Sequence, residues 1–252
     1  LEQHGKHRTL VIWHSQIARI TACVVILGFS ATLAAANCRL ALVLAIDVSN
    51  SVDAHEDALQ RNGLADALIA PEVQQAFFAS DFKVAITAFE WSGRHHQQQL
   101  FDWTLINDAA ALRAASDKVR TSVRGQTDFP TALGHALDYA LDLFQDAPLC
   151  QTRTIDVAGD GKNNDGYEPS RAYAGTKFNG ITVNGLVVRV IDLGVDTGVL
   201  PYYQSQVIRG PGAFTEVADR FEDYERAMRR KLERELAPAM IGLSTPLHKR
   251  NG

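Results

Sequence analysis

The stretch LALVLAID, residues 40–47, constrains this chain more than any other. A half-buried strand alternates apolar and polar residues. A continuous apolar run of this length, bounded by polar residues, reads instead as a strand buried on both faces, as in sheets that helices cover on both sides. The run ends in Asp47, and hydroxyls follow at Ser49 and Ser51. Three polar side chains at the end of a buried strand carry a desolvation cost unless something partners them.

Further elements alternate along the chain. FKVAITAFEW (82–91) and QQLFDWTLI (98–106) read as strands, and SGRHHQ between them is short enough for an antiparallel hairpin. RTIDVA (153–158), ITVNGLVVRVI (181–191) and GAFTEV (212–217) are further strands, the last a short edge strand. Helices are expected from Asp53, where Asp53 and Glu56 are spaced as a capping box, and over DAAALRAASDKVR (108–120). PTALGHALDYALDLF (130–144) is expected to be helical with Pro130 in its first turn. Shorter helices are expected near PSRAYAGTKF and VLPYYQSQVI, and a closing amphipathic helix over residues 219–236. This order predicts an α/β fold: a doubly wound, mostly parallel six-stranded sheet with one antiparallel edge strand and helices on both faces.

At 252 residues, 46% hydrophobic and 21% charged, the chain suits one sizeable domain. The formal charge is −4 without a basic block, which argues against a nucleic-acid partner. RAMRRKLERELA (226–237) mixes Arg and Lys with Glu and reads as the solvated face of a helix. Residues 1–36 differ in kind: Lys6, Arg8 and Arg19 precede the apolar ITACVVILGFSATLAAA, which ends in an A-x-A pattern at Ala34 and Ala36. That is the order of a secretory signal, so residues 37–240 are expected to form the domain, 241–252 a tail, and the mature chain to be periplasmic or secreted without a membrane span. Removing residues 1–36 takes away three cationic residues and Glu2, leaving a mature charge of −6.

In open α/β sheets, ligands bind beyond the carboxyl ends of the strands. Asp47 and Asp160 both follow such ends, and GQTDFPTAL offers Thr127 before a helix. Carboxylate and hydroxyl oxygens suit a hard divalent cation, and few charges among them leave the ion open to a carboxylate from outside. The ordered motifs D-V-S-N-S (47–51), GQTD (125–128) and GDGKNN (159–164) resemble the metal-ion-dependent adhesion site of von Willebrand factor type A domains, over about residues 38–236. The resemblance implies one Mg²⁺ or Mn²⁺ held closely by Asp47, Ser49, Ser51 and Thr127, with Asp160 acting through water. It also implies a binding module, not an enzyme, that captures an Asp or Glu of a protein partner through the ion. Ala158 and Gly159 stand where many relatives carry a hydroxyl residue. The chain looks like a bacterial secreted subfamily of these domains without an assigned function.

The alternative is a metal-dependent phosphoester hydrolase using the same Asp/Ser cluster. Aspartyl-phosphate chemistry resembling the haloacid dehalogenase family would want a second carboxylate two residues after the first, where Ser49 stands. Other motifs fail. His55 in HEDAL lacks the second histidine of a zinc-protease helix, Lys162 occupies a ligand position of a would-be calcium loop, and no G-x-S-x-G is present. His95 and His96 read as polar loop residues. Cys23 lies in the signal, which leaves Cys38 and Cys150 for a disulfide in an oxidising compartment. If the strands ending in Asp47 and Asp160 are neighbours, as in the resembling fold, the two cysteines meet at the opposite edge of the sheet. One offset counts against it: Cys38 precedes Asp47 by nine residues and Cys150 precedes Asp160 by ten.

Overall fold

A computed structural model describes residues 37–125, 128–189, 191–192 and 195–237. The expected signal (1–36), Thr127 and the tail (241–252) lie outside the described residues. The strands are β1 (Cys38–Asp47), β2 (Lys83–Trp91), β3 (Gln97–Ile106), β4 (Thr152–Gly159), β5 (Ile181–Val188), β6 (Ile191–Asp192), β7 (Val195–Asp196) and β8 (Thr215–Ala218). The helices are α1 (Ala54–Ile69), α2 (Pro71–Phe78), α3 (Ala109–Arg120), α4 (Leu133–Leu143), α5 (Pro169–Ala172), α6 (Val199–Tyr202) and α7 (Tyr224–Leu236). The main sheet has the order β3-β2-β1-β4-β5-β8; β3 is antiparallel to β2, and every other pairing is parallel.

Strand β1 shows why its sequence is apolar throughout. Leu40, Leu42, Leu44 and Ile46 face one core, with residues of α1, α2, α3 and α7. Val43 and Ala45 face a second core, with residues of α4, α5 and the segment around Tyr203. Side chains alternate across a strand, so a strand between two helical layers has no face left for water. Asp53 accepts from the His55 and Glu56 amides while Glu56 accepts from the Asp53 amide, and this capping box starts α1.

Two expectations need correction. Helix α4 begins at Leu133, so Pro130 precedes it. The Thr131 amide donates to the Asn164 side chain, and the Thr131 carbonyl accepts from the Asn164 and Asp165 amides. Those bonds tie Thr131 to the loop after β4, and the helix starts only beyond them. The cysteine offset also vanishes. β1 and β4 pair Leu40 with Thr152 and Ile46 with Ala158, a shift of 112 residues that equals the separation of Cys38 and Cys150. Asp160 lies one residue past the partner level of Asp47, which accounts for the miscount. The disulfide spans a Cα separation of 4.5 Å, and the Gln151 amide donates to the Cys38 carbonyl beside it.

Candidate metal centre

Asp47 ends β1 between two neighbours that hold its backbone. The Val48 amide donates to the Trp91 carbonyl at 2.8 Å, and Gln60 of α1 donates its side-chain amide to the Asp47 carbonyl at 2.6 Å. The chain then turns. The Ser49 amide donates to Asp47 Oδ1 at 2.8 Å, and the Asn50 amide donates to the Phe129 carbonyl. Asp47 and Ser49 are fully buried.

Four side-chain oxygens follow one another in space. Thr131 Oγ1 donates to Ser49 Oγ at 3.2 Å, Ser49 and Ser51 hydroxyls lie 3.2 Å apart, and Ser51 donates to Asp160 Oδ1 at 2.7 Å. The Ser51 proton goes to Asp160, so Ser49 is the donor between the two serines. Contacts of 3.2 Å are long for hydroxyl pairs, which usually sit at about 2.7–2.8 Å; these oxygens are gathered but loosely joined. Of the residues named as ligands, Asp47, Ser49, Ser51 and Asp160 are thus brought together, and Thr127 lies outside the described residues. Thr131 joins them without having been singled out.

The cluster disfavours the ionised form of its two carboxyl groups. Burial, followed by the Asp160 carboxylate, pushes the Asp47 carboxyl up to about 8. Burial also raises Asp160, and the Ser51 hydrogen bond opposes that shift. Asp47 Oδ2 is buried and has no hydrogen-bond partner among the described residues. Two close carboxylates, hydroxyl lone pairs and an orphaned buried oxygen fit a hard divalent cation. Among the described residues no group of three or more His, Cys, Asp or Glu is placed to hold an ion.

The family model described as Protein of unknown function (DUF1194) matches residues 37–240. The chain belongs to that family. No curated protein matches it by sequence. Among solved structures, the DUF1194 chain is similar to proximal thread matrix protein 1 from the mussel byssus (14% identity, TM-score 0.57, covering 79% of this chain and 48% of that one). That protein has also been solved with a zinc-occupied MIDAS motif, at TM-score 0.55. Also similar are a von Willebrand factor type A protein from Catenulispora acidiphila (14%, TM-score 0.54, 79% and 42%) and the open conformation of the pilus adhesin SpaC from Lactobacillus rhamnosus GG (12%, TM-score 0.57, 79% and 30%). The fold is that of the von Willebrand A domain, and the chain spans less than half the length of each of these neighbours.

Residues that sequence reasoning passed over hold the site in shape. Arg124 donates to the carbonyls of Val48, Ser49 and Val52, clamping the turn that carries both serines. Arg61 of α1 is buried and joins Asp57, Glu90 and the Ser122 hydroxyl. Glu90 Oε1 in turn accepts from the Gly125 amide at 2.7 Å. A Cβ at Gly125 would fall 2.5 Å from that oxygen, so a larger residue there would displace the Glu90 carboxylate. Gly125 is therefore anchored from β2 and α1. The sequence signals only Glu90, a charged residue inside the otherwise apolar AITAFEW; Arg61 lies in a helix that carries several other charged residues. His95 is exposed on the β2–β3 hairpin, and His96 stacks on Phe129 with ring centroids 3.6 Å apart.

Proposed function

We propose that this DUF1194 domain is a secreted or periplasmic binding module that captures an acidic side chain of a partner protein through one divalent cation, Mg²⁺ or Mn²⁺. Asp47, Ser49, Ser51, Thr127 and Asp160 would hold the ion. The observation that carries the reading is the buried Asp47 Oδ2, unpartnered among the described residues, beside the Asp160 carboxylate. Burying one carboxylate beside another is unfavourable, and a cation relieves it. The similar structures include an adhesin and a byssus matrix protein with a zinc-occupied MIDAS, and this supports an adhesion-type role without catalysis. Among the described residues no helix is long and apolar enough to cross a membrane.

In this role the cation supplies the bond to the partner's carboxylate. The protein's own residues gather the oxygens, exclude water around Asp47 and keep the loop rigid through Arg124. Binding is then reversible and sensitive to chelator. Adding Mg²⁺ or Mn²⁺ raises the melting temperature of the wild type, since an ion bound only by the folded state stabilises it by mass action. Asp47→Ala abolishes the rise and keeps the fold. Identical responses from the two proteins would refute the site. Affinity capture from envelope extract with Mg²⁺, repeated with chelator, then tests the partner.

A further inference from the structure

Behind Asp47 the sheet has been cleared to admit one tyrosine. Tyr203 opens a single π-helical turn, Tyr203–Val207, directly after α6, and its side chain is fully buried. A Cβ at Gly185 on β5 would lie 2.7 Å from Tyr203 Cδ1. A Cβ at Gly159 on β4 would lie 2.5 Å from the Tyr203 hydroxyl and 2.9 Å from Asp47 Oδ2. Gly185 pairs with Val157, two residues before Gly159, so both glycines face the same side of the sheet. Ring and hydroxyl occupy a slot that any larger residue at either position would close. Single π turns recur at functional sites.

The slot is not explained by packing alone. Phenylalanine would fill it as well, whereas a buried hydroxyl without a partner costs about 1–3 kcal/mol. Among the described residues the Tyr203 hydroxyl has no partner, and neither has Asp47 Oδ2, although both crowd the same point above Gly159. The hydroxyl is a donor, and Oδ2 of the ionised carboxylate is an acceptor.

We propose that Tyr203 is a positioning residue of the cation site, its hydroxyl entering through the Gly159–Gly185 slot to hold Asp47 Oδ2 when the carboxylate is drawn onto a cation. This rests on the metal-binding reading above. The hydroxyl orients the ligand, as hydrogen-bond partners behind metal ligands generally do, and does not itself touch the ion.

The test uses the full chain and Mn²⁺ alone, titrated by calorimetry. Tyr203→Phe keeps the ring in the slot and removes only the hydroxyl. It weakens Mn²⁺ binding by about 10–100-fold, while the metal-free unfolding midpoint is no lower than that of the wild type. Tyr173→Phe is the control: Tyr173 is also buried, but its hydroxyl donates to the Val207 carbonyl. That variant binds Mn²⁺ like the wild type even though it loses a hydrogen bond. Wild-type affinity in Tyr203→Phe overturns the inference and leaves the metal site standing. So does a metal-free Tyr203→Phe less stable than the wild type, or an equal loss of affinity in Tyr173→Phe. A wild type without saturable Mn²⁺ uptake, or with uptake that survives Asp47→Ala, overturns the metal site and the inference together.

Discussion

Lys231 on α7 places its ammonium 2.6 Å from Asp156 of β4, with neither side chain open to solvent. The same ammonium meets Glu235, one turn further along α7. The closing helix is thus fastened by charge to a central strand, and four residues along the chain that strand leads to Asp160. Removing one partner of a buried ion pair is far more damaging than the pair is stabilising, because the remaining charge is stranded. Lys231→Met fills a similar volume but leaves two buried carboxylates without a cation. Urea unfolding above pH 7, where Asp156 is ionised, should show a loss of about 3–5 kcal/mol. A loss within experimental error would mean that the carboxylates are neutral whenever lysine is absent.

Asp156 also sets a pH dependence. Burial, then the Glu235 carboxylate, pushes its carboxyl from 3.8 up to about 7, against the opposing pull of Lys231. A carboxyl whose pKa is raised by folding favours the fold fully below its unfolded pKa, near 4, and that contribution is lost as pH rises through about 7. Asparagine cannot ionise. The melting temperature of Asp156→Asn relative to the wild type should therefore climb between about pH 4 and pH 7 and level off above. A flat difference across that range would show Asp156 to be ionised throughout.

The disulfide closes a long loop, with 112 residues separating Cys38 from Cys150. Constraining the unfolded chain over that length is worth about 4–5 kcal/mol in the chain-entropy model. The Cys38→Ser, Cys150→Ser double variant should unfold at clearly lower urea, and reductant should lower the wild type alone. Intact mass before and after reduction and alkylation confirms the starting state. Equal urea midpoints for wild type and double variant would remove the disulfide from the account of stability.

Gly159→Ala tests the crowding above β4. The new methyl group would meet the Tyr203 hydroxyl at 2.5 Å and Asp47 Oδ2 at 2.9 Å. Overpacking of this kind destabilises by about 1–3 kcal/mol. In a Tyr203→Phe background the hydroxyl is gone, so the same alanine should cost less. A double-mutant cycle measures the difference, which exceeds about 0.5 kcal/mol for residues in contact. Strict additivity would place the strain elsewhere.

Much of this architecture was legible in the sequence because it is written in local pattern. The unbroken apolar run of β1 required a helix layer on each face, and the Asp53–Glu56 spacing marked the start of α1. Asp47, Ser49, Ser51 and Asp160 were visible because short polar motifs followed apolar strands in a definite order. Contacts set by strand register or by distant loops were decided only in three dimensions. The meeting of Cys38 and Cys150 depended on which residues of β1 and β4 pair, and a count made to Asp160 was misleading by one. Helix α4 starts at Leu133 because Thr131 bonds to Asn164 and Asp165, more than thirty residues away. Tyr203, Glu90, Arg61 and Arg124 carry no motif; each matters through what the folded chain sets beside it. Periodicity encodes which face of an element is dry. The neighbour of a given oxygen is chosen by register, crossover and loop path, and those are properties of the whole chain.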